Sequence, residues 1–315
     1  MRILIADKIS DEAIAKLEKE HEVVFSELSP EELMREIEKY DALVVRSRTK
    51  VTREVIEKGK NLKVIGRAGV GVDNIDVKEA SKRKIIVVNA PTSSTVAVAE
   101  LTLAHLLALA RHLTKADKST KEGKWEKKAF MGIELSGKIL GLIGVGRIGS
   151  EVAKRARAFG MKCLTYDPYL SAEKAQEFGV QLVTLDTLLK ESDFISIHAA
   201  LTKETKGLIG AKELAKMKSS AYLINCARGG IIDEKALFEA LKDKKIAGCA
   251  LDVFEKEPLP SDSPLLKLDN IIFTPHLGAS TEEAQKKAGD IIAEQVLKAL
   301  RGEKPEFIVN PEVLK

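Results

Sequence analysis

Cysteine is scarce in this 315-residue chain. Cys163, Cys226 and Cys249 lie far apart, with no CxxC and no His-rich spacing around them. That speaks against a thiol redox pair or a metal centre, so no metal is expected, and it favours reduced, mostly buried thiols in a cytoplasmic protein. An excess of one charge is also lacking. The formal net charge is +4, with acids and bases mixed along the chain. A nucleic-acid binder would need a basic block or a one-sided basic face, so no nucleic-acid partner is expected. The small positive balance still suits an anionic small molecule. No apolar run is long enough to imply a membrane. The most apolar stretch, Thr95–Ala110, contains Glu100 and His105 and falls short of the ~20 residues that a spanning helix needs. The opening MRILIAD reads as a buried strand and not as a basic stretch leading into an apolar run and a cleavage site, so no export signal is expected. Fixed-period repeats and low-complexity tracts are absent as well.

Hydrophobic residues make up 44% of the chain, and its length suits two domains of ordinary size. Short β-rich runs alternate with amphipathic helical stretches, the pattern of parallel α/β architecture. Strands are expected at Arg2–Ala6, Val23–Phe25, Ala42–Val45, Lys63–Gly66 and Ile85–Val88. A second series is expected at Ile139–Ile143, Lys162–Tyr166, Gln181–Leu182, Phe194–Ile197, Ala221–Asn225, Ala247–Leu251 and Ile271–Phe273. Ser10 and Ser29 are candidate helix caps, the latter with Pro30 at the first helical position. A last helix should cover Thr281–Leu300. Thr95–Ala110 is apolar all round and should be buried all round. A twofold dimer through the 95–130 region, or a larger assembly, is the simplest way to cover it. The basic segment Lys115–Lys128 follows and holds the only tryptophan, Trp125; from it Lys127 could reach a neighbouring subunit's site.

Gly144-Val145-Gly146-Arg147-Ile148-Gly149 follows the strand KILGLI and opens the helix SEVAKRARAF. The next strand, CLTY, ends in Asp167. In that context GxGxxG is a dinucleotide fingerprint. Gly144 permits the tight turn, Gly146 lets the backbone approach a pyrophosphate, and Gly149 lets the helix pack on the sheet. The helix N-terminus supplies N–H groups to phosphate. Asp167 should accept from the adenosine ribose hydroxyls, which favours NAD over NADP because a carboxylate repels a 2′-phosphate. A second glycine-rich loop, Gly66–Asp73, lacks the third glycine and the acid-tipped strand. It reads as a loop whose Gly69, Val70 and Gly71 amides approach a small anion.

Three segments near strand ends, NCARGG (225–230), LDVFEKEP (251–258) and TPHLGAS (274–280), can converge on one site. Oxidising an alcohol to a ketone needs a base for the hydroxyl proton, and histidine serves both directions near neutral pH. A carboxylate beside it favours the imidazolium. An arginine can grip a substrate carboxylate with its planar fork. His198, at the end of FISIH, is a rival histidine, though a structural or cofactor-rim position suits it better. His105 and His112 read as packing or interface residues, and His21 as surface.

Together GVGRIG, NCARGG, LDVFEKEP and PHLGAS resemble the D-2-hydroxyacid dehydrogenase family. RAGVGVDN, KWEKKAF and HLGAST are most similar to its D-3-phosphoglycerate dehydrogenase branch. The resemblance covers essentially the whole chain. It implies Arg228 as carboxylate anchor, Glu257 as histidine partner and His276 as general acid/base. Around NAD it places Arg147, Ile148, Asp167, Cys226, Ala227, Arg228, Asp252, His276, Gly278 and Ala279, besides the three glycines of the loop. It implies two doubly wound α/β parallel-sheet domains: a Rossmann nucleotide domain at 98–282 and a flavodoxin-like substrate domain at 1–97 plus 283–315. The chain resembles the short form of the branch, so serine feedback through an appended domain is not expected. The implied reaction is NAD-dependent oxidation of 3-phospho-D-glycerate to its 2-keto acid in serine biosynthesis. For that substrate, Arg228, His276 and the Gly69–Gly71 amides would serve the carboxylate end, while Arg46, Ser47 and Arg67, which follow strands, could serve the phosphate. Two alternatives stay open: a glyoxylate or hydroxypyruvate reductase, and an NAD-sensing protein resembling the corepressors built on this fold.

Overall fold

The structure, a computed structural model, describes residues 1–314. The chain forms two compact units, Met1–Ser94 with everything from Ala279 on, and Thr95–Gly278. Sequence reading drew these divisions at 97/98 and 282/283.

The first unit opens with strands β1 (Arg2–Ile5), β2 (Glu22–Phe25), β3 (Ala42–Val45), β4 (Val64–Arg67) and β5 (Ile86–Asn89). They pair in parallel in the order β2-β1-β3-β4-β5. Between them run α1 (Asp11–Glu18), α2 (Pro30–Glu36), α3 (Arg53–Lys58) and α4 (Val77–Lys82). Ser10 caps α1, and Ser29 forms a reciprocal capping box with Glu32 at the start of α2. β3 is buried at every position, as a strand covered on both faces must be.

The second unit holds α5 (Thr95–Ala110), α6 (Leu113–Lys121), β6 (Ile139–Ile143), α7 (Arg147–Ala158), β7 (Lys162–Tyr166), α8 (Ala172–Phe178), β8 (Gln181–Leu182) and α9 (Leu185–Glu191). It continues through β9 (Phe194–Ile197), α10 (Ala211–Leu214), β10 (Tyr222–Asn225), α11 (Glu234–Lys242), β11 (Gly248–Leu251) and β12 (Ile271–Phe273). All seven strands are parallel, in the order β12-β11-β10-β9-β6-β7-β8. The winding reverses between β6 and β9, and such a switch point opens a crevice at the strand ends.

The chain then returns to the first unit as α12 (Glu282–Leu300), which packs on α1, β4 and β5. The packing is close: a Cβ on Gly66 would lie 2.7 Å from a Val296 methyl.

Several expectations need correction. Every strand end that moved did so by one residue. The tail at 307–309 adds an antiparallel bridge, Val88 with Ile308, to an otherwise parallel sheet; Asn310 fastens it by accepting from the Val87 amide at 2.8 Å. Leu113–Lys121, read only as a polar basic segment, is helical. Its only apolar residues, Leu113 and Ala116, lie one turn apart and give a short helical signal within a lysine-rich stretch. Within the single chain α5 is buried on only part of its surface, which leaves a face for the partner that the sequence leads one to expect. Ala99, Thr102, Leu103, His105, Leu106 and Ala110 are buried, but Val96, Glu100 and Ala104 are exposed.

Candidate active site

The nucleotide loop sits at the switch point. Gly144, with φ of +88°, lies so close to the end of β9 that a Cβ would stand 3.0 Å from the Ala199 nitrogen. A Cβ on Gly149 would meet the Gly144 carbonyl at 2.5 Å. Both glycines are therefore steric requirements of the turn. Gly146 caps α7 and has open space where a side chain would stand. Arg147 is exposed and Ile148 half-buried at the first positions of that helix. Asp167 accepts from the Val145 amide at 2.9 Å and the Tyr169 amide at 2.9 Å. It thus braces the loop as well as presenting a carboxylate at its rim. An open glycine at the N-terminus of a twelve-residue helix, with an acid beside it, fits the pyrophosphate and ribose of a dinucleotide.

The β10 turn is stapled by Asn225, which donates to the Arg228 carbonyl at 2.9 Å and accepts from the Ala227 amide at 3.0 Å. Cys226 is buried beneath it, while Ala227 and Arg228 are half-buried. Arg228 donates from Nη1 to the Ala227 carbonyl at 2.7 Å. A Cβ on Gly229 would stand 1.8 Å from the Phe254 carbonyl oxygen. Glycine there lets the arginine turn press against the loop after β11.

In that loop Glu257 accepts from the Phe254 amide at 3.1 Å. Its other oxygen lies 2.7 Å from His276 Nδ1. Burial opposes ionisation of Glu257. The bond and charge of His276, the Phe254 amide and the charge of Arg228 together outweigh it and hold the carboxyl below its ordinary range. The pair is partly open to solvent, with side chains 47% and 38% exposed. His276 has φ of +55°, a left-handed conformation that costs an L-residue about 1–2 kcal/mol. Asp252, fully buried, holds the turn by accepting from the Leu277 amide at 2.7 Å and the Gly278 amide at 2.8 Å. Ala279 falls just beyond, at the start of the first unit's second segment, and its carbonyl accepts from Gln285 at 2.6 Å.

In the first unit the loop after β3 is organised by Asp7, which sequence reading overlooked. Asp7 accepts from the Arg46 amide at 2.6 Å, Arg48 Nε at 2.8 Å and the Thr49 hydroxyl at 2.8 Å. The Arg46 side chain makes a long 3.4 Å contact with the Lys8 carbonyl, and burial lowers its pKa against the charge of Asp7. Ser47 is exposed. Arg67 folds over Gly69: a Cβ there would lie 1.5 Å from Arg67 Nη1. The Gly69 carbonyl accepts from Ala90, and the Val70 carbonyl from Asn89 at 2.6 Å. Gly71 is half-buried.

The other histidines separate clearly. His198 lies beneath the nucleotide loop, its Nε2 2.9 Å from Ser196 Oγ and its buried Nδ1 without a partner. Burial pushes it down to about 4, so it stays neutral and is a poor acid. His21 is a correction: both ring nitrogens are buried and lack partners. His112 is left-handed at the start of α6. All three cysteines are free and buried, and burial raises each thiol. Among the described residues no cluster of side chains suits a metal ion, and no single helix is long and apolar enough to cross a membrane. Asn225 and Thr274 open two of the quoted segments, but the sequence assigns them no role; each acts on a backbone group or carboxylate made adjacent by the fold.

Comparison with known proteins gives one family. The family model for the D-isomer specific 2-hydroxyacid dehydrogenase NAD binding domain matches residues 103–278. D-3-phosphoglycerate dehydrogenase of Methanocaldococcus jannaschii is 57% identical over 98% of this chain and 59% of its own length. The chain thus spans less than two thirds of that relative. Hydroxypyruvate reductase of Thermotoga maritima is 51% identical over 95% of this chain and 98% of its own. The crystal structure of the TT0316 protein from Thermus thermophilus superposes with a TM-score of 0.91 at 36% identity, covering 98% of this chain and all of that one.

Proposed function

The chain belongs to the D-isomer specific 2-hydroxyacid dehydrogenase family, and on that premise we propose that it oxidises 3-phospho-D-glycerate to the 2-keto acid with NAD. The observation that carries the reaction is the 2.7 Å contact between His276 Nδ1 and Glu257. The depressed carboxyl of Glu257 stays ionised and accepts the Nδ1 proton. Nε2 is then the nitrogen that takes the C2 hydroxyl proton in oxidation and returns it in reduction. When bound, NAD supplies the acceptor for the hydride that leaves C2. Gly144, Gly146, Arg147, Ile148, Gly149 and Asp167 would hold it on the nucleotide side, with Cys226, Ala227, Asp252, Gly278 and Ala279 on the other. Asp167 disfavours a 2′-phosphate, and the exposed Pro168-Tyr169 that follows supplies no arginine to offset it. Arg228, planar and always charged, anchors the substrate carboxylate.

Arg46, with Ser47 and Arg67, is proposed to read the phosphate. Arg46→Ala should raise KM for phosphoglycerate by on the order of tenfold or more, as loss of a charge-assisted bond does, and change D-glycerate far less. Equal loss on both would remove Arg46 from that role. The full-length match to a hydroxypyruvate reductase supports a second reading, reduction of an unphosphorylated 2-keto acid. A homodimer through 95–130 is supported by Val96 and Ala104 on α5 and by Trp125, 87% exposed. From that arm Lys127 would reach the partner. Free, buried cysteines support a cytoplasmic setting.

A further inference from the structure

Behind the turn that carries His276 stands a second histidine, on α5. His105 is 3% exposed on a helix whose one other ionisable residue, Glu100, faces outward. Its Nε2 lies 3.2 Å from Thr274 Oγ1 and its Nδ1 3.5 Å from Cys226 Sγ. The direction of this chain of bonds follows from its far end. Asp252 has three donors aimed at it: the Thr274 hydroxyl at 2.6 Å and the Leu277 and Gly278 amides. It acts only as acceptor, so Thr274 spends its single proton there. The Thr274 oxygen must then accept from His105, which fixes the ring proton on Nε2. Nδ1 is left to accept from the Cys226 thiol. Burial lowers the pKa of His105 against the charge of Asp252 and pushes the Cys226 thiol up to about 12. Both groups therefore keep the neutral forms that this order requires.

We propose that His105 is a positioning residue: through Thr274 and Asp252 it holds the 274–278 turn in the form that aims His276. The inference rests on the reading of His276 as acid/base. The turn needs such a brace because His276 is left-handed and its ring is half in solvent, so neither local conformation nor packing fixes it. Asp252 alone could hold two amides. The Thr274 hydroxyl, oriented by His105, ties the same carboxylate to the start of the turn and so fixes both ends of it. Removing the His105 donor frees the hydroxyl to rotate toward other acceptors and loosens the carboxylate that both amides share.

The test compares His105→Leu, Thr274→Val, their double variant and Thr274→Ser. His105→Leu and Thr274→Val should each lower kcat on the order of tenfold, as small misplacements of reacting groups do, with KM nearly unchanged. The double variant should lose no more than the worse single one, because both act through one bond. Thr274→Ser keeps the hydroxyl and should retain kcat. Exchange of the Leu277 and Gly278 amides, measured without substrate, should quicken in His105→Leu. Wild-type kcat in a folded His105→Leu, losses that multiply, or unchanged amide exchange would each overturn the inference. If His105→Leu fails to fold, Thr274→Val against Thr274→Ser decides: equal kcat in the two overturns it. A wild-type protein that reduces no NAD with any 2-hydroxy acid would sink the acid/base reading instead, while the exchange measurement still judges the link from His105 to the turn.

Discussion

At His276 the backbone and the ring are held by different carboxylates. Asp252 takes the two amides that follow it, and Glu257 takes Nδ1. The division separates aim from protonation. Glu257→Gln should therefore leave the turn in place and act on the proton alone. The carboxyl of Glu257 lies below its ordinary range, so it is charged across neutral pH and favours the protonated ring; a neutral amide removes that support. The rising limb of kcat/KM for oxidation should therefore move to lower pH in Glu257→Gln. A limb that stays in place, or moves up, would detach Glu257 from the titrating group. Arg228, Glu257 and His276 were reached through the family resemblance that their short segments carry. His105 was visible only as a polar residue on an apolar helix. Its partners lie 121 and 169 residues away, and no local signal points to them.

Among the elements, the strand ends do most of the positioning, and glycine decides how closely their loops approach. β10, β11 and β12 are adjacent and parallel, so the turns after them stand side by side. Gly229 brings the first of these against the second, where a side chain would overlap the Phe254 carbonyl. Gly229→Ala should cost about 1–3 kcal/mol, as forced overpacking does, and also raise KM by displacing Arg228. Thermal unfolding and substrate kinetics read the two effects; unchanged values in both would mean the loops part without consequence. The strands were largely legible from composition, being short Val/Ile/Leu runs bounded by turn residues, and their ends moved by one residue at most. α6 was not read as a helix, because Leu113 and Ala116 are its only apolar residues. The exposed stripe on α5 was not legible either. A uniformly apolar helix reports burial but not whether its own chain or another supplies the cover.

Over the whole molecule the sequence carried two chemical statements, a nucleotide loop with an acid after the next strand and a histidine-centred cluster near the chain's end. The cluster's Arg228, Glu257 and His276 lie in the same unit as the loop, so the proposed cofactor and proton chemistry share one sheet. The other unit carries Arg46 just after β3 and Arg67 at the end of β4. Composition said less: balanced charge and scattered cysteines argue against a nucleic-acid partner and a metal centre without naming a substrate. The most direct measurement is steady-state reduction of NAD and of NADP by the wild-type protein and His276→Ala, with 3-phospho-D-glycerate, D-glycerate and other 2-hydroxy acids. The wild type should reduce NAD in preference to NADP, with its highest kcat/KM on phosphoglycerate, and His276→Ala should lose ~10²–10⁴-fold in kcat while still binding NAD. Near-normal turnover by a folded His276→Ala, or no reduction with any 2-hydroxy acid, would contradict it.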